Sequence, residues 1–238
     1  FPGSGYDREA QAGGGHHQLR YLGALRAARR HALIGIGKPL DAARAEAARR
    51  AYDVRVNHLI WNGDKKSHIM GVLSSENNIP LYTLTNGASG KADWLNKTAD
   101  EIATDMAGIL NFIDTSTKSI EHPDSWVMPS DLFTSLNLKR IEGTDQSVFS
   151  YIKEHTPQIK NWETATELSK NNKDYNSTGK NIGLLYTKDA EKMAHEAPMP
   201  FMQHAPQERN LEVVINCEGR DAGMQIIYPF SACLVYGL

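Results

Sequence analysis

The feature that most constrains the fold is one long helical pattern, which spans residues 39–64 and reads PLDAARAEAARRAYDVRVNHLIWNGD. Pro39 and Asp41 are start signals, and the Asn62-Gly63 pair is a stop signal. The first half is rich in alanine, the best helix former, and leaves a thin face that another backbone can approach closely. The second half carries an apolar stripe at helical spacing, which should face a core. Its members are Tyr52, Val56, Leu59 and Ile60.

A second helix begins near residue 98. Thr98 and Glu101 form a capping box, in which the two side chains satisfy free backbone N–H groups at the helix start. Apolar residues then recur at steps of three and four and predict a buried face: Ile102, Met106, Ile109 and Ile113. Between the two helices the pattern is irregular. Short strand-like pieces at 68–73 and 79–85 are divided by turn signals at 77–78 and 86–90.

The second half of the chain predicts short elements. In order, these are a strand at 126–129, a short helix after Ser130, a helix over 146–155, an edge strand over 161–168, a polar loop over 169–181, a strand over 182–187 and a helical turn over 189–193. Strands over 211–217 and 224–230 flank a connection at 218–223, and this pattern predicts a hairpin. An apolar strand over 231–236 should be buried.

Length and charge bound the function. A chain of 238 residues is long enough for one large domain or two small ones. Its formal net charge is −2, whereas proteins that grip nucleic acid through its phosphates are normally basic, so sequence-specific DNA binding is not expected. No apolar run approaches the roughly 20 residues that span a bilayer, and no signal-peptide pattern is visible. Cys217 and Cys233 do not make a disulfide framework and indicate a reducing compartment.

The search for chemistry predicts no catalytic, cofactor-binding or metal-binding residue and no cofactor. The sequence at 35–38, Gly-Ile-Gly-Lys, lacks the spacing of a phosphate loop and is interpreted as the turn into the long helix. His16-His17 has no metal-ligand partner at suitable spacing, and His58 fits a core or interface histidine. Three carboxylates need no acid–base role, since the dipole favours negative charge in the first turns of a helix: Asp100, Glu101 and Asp105. The chain is therefore not expected to be an enzyme.

Several short motifs occur in a telling order. The long helix ends in Ile60-Trp61-Asn62-Gly63-Asp64, and Gly71-Val72-Leu73-Ser74-Ser75 follows. Next come Asn86-Gly87-Ala88-Ser89-Gly90 and Lys97-Thr98-Ala99-Asp100-Glu101-Ile102, and Ile227-Tyr228-Pro229 lies near the end. This order resembles the major capsid proteins of tailed bacteriophages and prophages with the Hong Kong 97-like fold. The likeness covers roughly residues 33 to 238, and its weight lies in the order and spacing of the motifs.

The resemblance implies an α+β fold with a long spine helix, a peripheral β-rich domain and an axial α/β domain. Residues 1–38 would be an N-terminal arm or loop region, 39–65 with 196–238 the peripheral domain, and 66–195 the axial domain. The implied function is self-assembly through five- and sixfold rings into an icosahedral head around double-stranded DNA. The implied partners are other copies of the chain as pentamers and hexamers, portal and scaffolding proteins, and nonspecifically contacted DNA, with no membrane. The implied location is the virion capsid, assembled in the bacterial cytoplasm.

The first 18 residues depart from the family pattern. They are glycine-rich with few aliphatic side chains, and we expect an extended arm or loop whose ordered contacts belong to a neighbouring subunit. The family carries a long N-terminal arm and a β-hairpin that reaches over the neighbouring subunit, whereas only about 30 residues precede the spine helix here. Truncation, cleavage and divergence of this part are alternatives that the sequence leaves open.

Two other functions also stay open. An encapsulin-type nanocompartment shell shares the fold. The content of the particles separates the two, since an encapsulin holds an enzyme cargo and a phage head holds DNA. A small cytoplasmic α/β enzyme would place its site in the loops 65–97 and 169–181 and would be a monomer with a deep pocket.

Overall fold

The computed structural model describes residues 6–10, 19–27, 40–209 and 212–238, with side chains over 44–207 and 214–238. The helices are α1 (Leu40–Asn62), α2 (Ala99–Thr117), α3 (Ser130–Leu138) and α4 (Val148–His155). The strands are β1 (Tyr6–Ala10), β2 (Leu19–Ala27), β3 (Leu81–Thr83), β4 (Ser125–Met128), β5 (Asn161–Thr164), β6 (Ile182–Tyr186), β7 (Met193–Glu196), β8 (Met199–Gln203), β9 (Gln207–Arg209), β10 (Glu212–Asp221), β11 (Gly223–Ile226) and β12 (Ala232–Tyr236).

The described residues divide into two compact units. Unit 1 comprises Phe1–Ser74 with His195–Gln225, and unit 2 comprises Ser75–Ala194 with Ile226–Leu238. The sequence placed 196–238 together in one peripheral domain. In the structure, the last 13 of these residues, with strand β12, belong to unit 2 instead, because β12 pairs with β3 and β6 there.

Unit 1 is built on an antiparallel sheet with the order β1-β2-β10-β8, in which β9 also pairs with β10. Helix α1 lies against this sheet, and its predicted bounds are confirmed. Tyr52 and Leu59 are buried, as the apolar stripe predicted, while Val56 and Ile60 are partly buried. The Tyr52 ring lies 5.2 Å from that of Phe201 on β8.

Unit 2 has a mixed five-stranded sheet with the order β3-β12-β6-β4-β5. The pairs β3–β12 and β4–β5 are parallel, and the two inner pairs are antiparallel. Helix α2 packs its predicted apolar face into the core, where Ile102, Met106 and Ile109 have no exposed surface. The rings of Trp94 and Trp126 stack in the same core with centroids 5.8 Å apart. The buried character predicted for strand β12 is confirmed.

The predicted hairpin between 211–217 and 224–230 is wrong. Strand β10 runs without a turn from Glu212 to Asp221 and lies between β2 and β8, whereas β11 pairs with β7. Gly219 was interpreted as a turn residue. Glycine is needed here because the Tyr52 ring packs directly against the backbone, and a Cβ at this position would lie 2.6 Å from that ring.

Other local predictions need correction. Residues 68–73 form no strand beyond a single bridge of Ile69. The single turn predicted over 189–193 is present, since the Asp189 carbonyl oxygen accepts from Lys192 N at 3.1 Å and from Met193 N at 3.0 Å. At the N-terminus, Tyr6–Ala10 pairs with the same chain's Leu19–Ala27, so one side of this strand makes its backbone contacts within its own chain, contrary to the expectation. The rest of the predicted N-terminal arm lies outside the described residues.

The polar loop over 169–181 is present, but part of it is buried. Asn176 is 1% exposed, and its side-chain nitrogen donates to the carbonyl oxygens of Leu168 at 3.0 Å and Lys180 at 2.7 Å. Ser169 is also buried and donates to Asp131 at 2.8 Å. The loop therefore does not project freely along its whole length; its buried amide and hydroxyl groups fix its path by satisfying hydrogen-bonding groups.

Candidate functional site

The residues tested for chemistry have structural roles where the structure describes them. His58 is partly buried, with Nε2 3.4 Å from the Asn62 side-chain nitrogen. Asp100 accepts a 2.6 Å hydrogen bond from the Tyr151 hydroxyl group. The His16-His17 pair and the segment 35–38 lie outside the described residues. Across the described part of the chain, no group of three or more His, Cys, Asp or Glu side chains could hold a metal ion.

The carboxyl end of α1 is closed by a later segment of the chain. Helix carbonyl groups in the last turn lack partners within the helix. Here the four carbonyl oxygens of residues 59–62 accept hydrogen bonds of 2.7–3.0 Å, in order from Gly63 N, Val72 N, Leu73 N and Ser74 Oγ. We call this arrangement, formed by 59–63 and 71–74, the helix-end closure.

Two glycines make the helix-end closure possible. Gly63 has a φ of +69°, a conformation that residues with a Cβ rarely adopt. A Cβ on Gly63 would also lie 2.7 Å from the Gly71 nitrogen, and a Cβ on Gly71 would lie 2.6 Å from the carbonyl carbon of Asn62. The two backbone segments therefore touch directly, which explains physically why both motifs of the helix end contain glycine.

Asp64 fixes the turn that follows the helix. One carboxylate oxygen accepts a 2.7 Å ion-paired hydrogen bond from Arg55, and the other accepts from the Lys66 backbone nitrogen at 3.0 Å. Its backbone exchanges two hydrogen bonds with Ile69. The charged residue after Gly63 thus joins the helix surface to the returning chain.

A buried ion pair lies near the start of α2. Lys97 Nζ is 2.7 Å from Asp105 Oδ2, and the two side chains are 1% and 9% exposed. The Lys97 ammonium group also donates to the carbonyl oxygen of Thr85 at 2.6 Å, and Trp94 Nε1 donates to Asp105 Oδ2 at 3.0 Å. Both charges therefore have directed partners, as buried charges require. The charge of Asp105 is matched mainly by this lysine, a partner that the helix-dipole interpretation missed.

The capping box of α2 also holds the neighbouring loop. Glu101 accepts hydrogen bonds from the backbone nitrogens of Ala88 at 2.7 Å and Thr98 at 2.8 Å, and these bonds hold the pKa of its carboxyl group below the usual value. The Thr98 hydroxyl oxygen accepts from Glu101 N at 3.3 Å, which confirms the predicted box. The motifs at 86–90 and 97–102 are therefore parts of one hydrogen-bonded structure.

A shallow groove in unit 1 tests the enzyme hypothesis, because it is lined by His204, Cys217 and Glu218. Burial raises the pKa of the Cys217 thiol, which disfavours the thiolate that a nucleophile requires. His204 Nε2 lies 3.1 Å from Glu218 Oε1. The groove does not supply an activated nucleophile. The polar side chains described above in the loops 65–97 and 169–181 are engaged by backbone groups or by other side chains.

Exposed apolar side chains are the described feature that sequence reasoning missed. Six of them lie in unit 2 and fall into two sets: Ile120, Ile227, Tyr228 and Phe230 in the first, and Leu95 and Leu138 in the second. The other exposed large apolar side chains are Val54, Met70 and Met202 in unit 1 and Leu81 in unit 2. The segment 224–230 was expected to be strand, but β11 ends at Ile226 and a 3₁₀ turn, Pro229–Ser231, follows. Pro229 was the available signal, because proline interrupts strands. No helix within the described residues is long and apolar enough to span a bilayer.

Comparison with known proteins gives a family and a fold. Among solved structures, the capsid of Myoviridae phage XM1 matches with a TM-score of 0.73 and 14% identity, over 98% of this chain and 83% of that chain. The capsid of a native GTA particle matches with a TM-score of 0.59 and 11% identity, over 93% and 72%. The holo-SrpI encapsulin complex from Synechococcus elongatus PCC 7942 matches with a TM-score of 0.55 and 9% identity, over 99% and 82%.

These likenesses show a mixed α and β fold that is found in capsids. No curated protein matches the sequence. The family model described as major capsid protein matches residues 28–238, which is most of the chain and includes the motifs around the end of α1 and the start of α2. The chain belongs to the major capsid protein family.

Proposed function

We propose that the chain forms an icosahedral phage head by joining copies of itself in rings of five and six around double-stranded DNA. The observation that carries the proposal is the family match over residues 28–238. A closed shell multiplies many subunit contacts of modest strength, so a structural protein with exposed apolar surface suits this task. Portal and scaffolding proteins are the further partners that such a head requires, and assembly would take place in the host bacterial cytoplasm.

The proposal includes a Hong Kong 97-like division of labour. Unit 1, with α1 as the spine helix, takes the peripheral role, and unit 2 takes the axial role. The antiparallel pair β1–β2, which extends the sheet of unit 1, is a candidate for the hairpin that reaches over a neighbouring subunit in this family. The loop over 169–181 would lie near the ring axis, where its exposed lysines meet their symmetry copies: Lys170, Lys173 and Lys180.

Electron microscopy of the expressed protein tests the assembly. We expect closed shells with rings of five and six, whereas a chain that stays monomeric at high concentration would contradict the proposal. In a reconstructed shell, Tyr175 should lie closer to the nearest ring axis than Trp61. The reverse order would show that the peripheral and axial roles are exchanged.

An encapsulin-type shell is the second candidate, because the encapsulin complex matches 99% of this chain with a TM-score of 0.55. The content of purified particles separates the two functions. Nuclease-resistant DNA in particles from infected or induced cells supports the phage head, whereas a packaged enzyme supports the compartment.

A further inference from the structure

Two exposed apolar surfaces lie on unit 2. The aromatic patch consists of Ile120, Ile227, Tyr228 and Phe230, which are 73%, 53%, 57% and 55% exposed. The leucine patch consists of Leu95 and Leu138, which are 43% and 77% exposed. Large apolar side chains with this much exposure carry a cost in water, and grouped ones mark interaction surfaces more often than single ones do.

The aromatic patch is held together by backbone and ionic contacts. The nitrogens of Ile227 and Tyr228 both donate to the Lys192 carbonyl oxygen, at 2.9 and 3.3 Å. The Lys192 ammonium group is 2.6 Å from the carboxylate of Glu121, the residue that follows Ile120. Lys192 therefore links the two parts of the patch, through its carbonyl oxygen on one side and its ammonium group on the other, and its charge is already paired.

The aromatic patch is also rigid. Ser231 donates to the Tyr228 carbonyl oxygen through both its backbone nitrogen, at 3.0 Å, and its hydroxyl group, at 2.7 Å. Thr187 N in turn donates to the Ser231 carbonyl oxygen at 3.0 Å. Side chains that are held outward by such a turn lose little conformational freedom when a partner covers them.

The leucine patch lies at the other end of α2. Lys139, the residue after Leu138, donates through Nζ to the Leu95 carbonyl oxygen at 3.0 Å, which brings the two leucines near each other. Leu95 precedes the start of α2 at Ala99, whereas Ile120 follows its end at Thr117. The 19 residues of α2 span about 28 Å. The two patches therefore cannot cover each other within one copy.

We propose that the aromatic patch of one copy docks onto the leucine patch of the next copy. This inference rests on the proposed shell function and names its contact. A contact between two different surfaces of identical chains is heterologous, and repetition of it closes a ring when the rotation permits. The aromatic patch exposes on the order of 400 Å², since large side chains have roughly 150–250 Å² each, and this is about half of what one partner contributes to a standard interface. The paired charges of Lys192 and Glu121 favour a neutral apolar partner over a polyanion.

Substitution of each patch tests the contact. Phe230→Glu and Leu138→Glu should each raise the critical concentration for assembly at least about tenfold, the effect of losing one well-packed anchor. Val54→Glu is the matched control, because Val54 is 58% exposed in unit 1 and belongs to neither patch. Light scattering and electron microscopy measure assembly, and circular dichroism checks folding. Unchanged assembly of either patch variant would overturn the inference while leaving the shell function intact, whereas a wild-type chain that never assembles would overturn both.

Disulfide trapping keeps the inference testable if a glutamate variant fails to fold. Phe230→Cys and Leu138→Cys combined in one chain should give a ladder of covalent oligomers on non-reducing gels after oxidation. Each single variant should give no ladder, since the proposed contact joins one patch to the other. Absence of a ladder from the combined variant, or equal ladders from a single variant, would contradict the contact.

Discussion

Loss of the buried ion pair in unit 2 should destabilise the subunit strongly. In Lys97→Met the Asp105 carboxylate, only 9% exposed, keeps the Trp94 indole as a donor but loses its cation at 2.7 Å. Removal of one partner from a buried pair typically costs 3–5 kcal/mol, because an uncompensated charge stays in the protein. We expect a loss of about 4 kcal/mol in the free energy of unfolding, a large share of the roughly 5–15 kcal/mol of a typical domain.

The matched control is Lys188→Met. Lys188 and Glu163 are also 2.7 Å apart, but their side chains are 57% and 43% exposed. An exposed pair contributes little to stability, since water solvates both ions and salt screens them. The two ion pairs therefore have the same nitrogen–oxygen distance and differ in how deeply they are buried.

Urea unfolding of unassembled subunits, followed by tryptophan fluorescence, measures both variants. The combined variant Lys97→Met with Asp105→Leu should be more stable than Lys97→Met alone, because the unpaired charge is then absent. Equal losses for Lys97→Met and Lys188→Met, or a combined variant less stable than Lys97→Met, would refute the assignment of the stability to burial of the pair.

Three further predictions concern other sites. Gly71→Ala should cost about 2–3 kcal/mol through overpacking against the end of α1, whereas Gly90→Ala, with open space and a φ of +75°, should cost about 1–2 kcal/mol; thermal melting compares them. A 2.8 Å hydrogen bond from His195 Nε2 to the Asp221 carboxylate raises the pKa of His195, so the stability from this pair is full below about pH 6.5 and is lost as the pH rises through the raised pKa. His195→Gln should therefore cost more near pH 5.5 than near pH 8.5 in urea unfolding. Burial raises the pKa of Cys233 to about 12, so its thiol should react with a thiol reagent only after denaturation; fast reaction in the native protein would contradict its burial.

The helices could be predicted from the sequence because their signals are local. The bounds of α1 follow from alanine content and from Asn62-Gly63, and the start of α2 follows from two side chains three residues apart. Each of these signals acts within one or two turns, so no knowledge of distant residues was needed. Cys217 and Cys233 are both free and buried, which agrees with the expectation that they make no disulfide framework.

Strand pairing could not be predicted in the same way. The run at 211–221 is compatible with a hairpin to 224–230, but its actual neighbours are β2, about 200 residues earlier, and β8. Gly219 and Asn176 were interpreted as turn or loop residues because the local sequence does not show their distant partners. The Tyr52 ring lies over Gly219, and the side-chain amide of Asn176 donates to buried carbonyl groups. The aromatic patch was missed because exposure depends on which faces the sheet leaves uncovered.

The motifs that carry the family likeness and the residues proposed to join subunits are largely different sets. Gly63 and Gly71 close a helix end, and Lys97 and Glu101 fix the start of another, so both groups act inside one copy. The leucine patch and half of the aromatic patch, Ile120 and Phe230, lie outside the family motifs, on surfaces that the internal contacts leave exposed. Substitutions in the first set should therefore lower subunit stability before they alter assembly. Substitutions in the second set should alter assembly while the unfolding free energy of the subunit stays nearly constant, because exposed side chains contribute little to it.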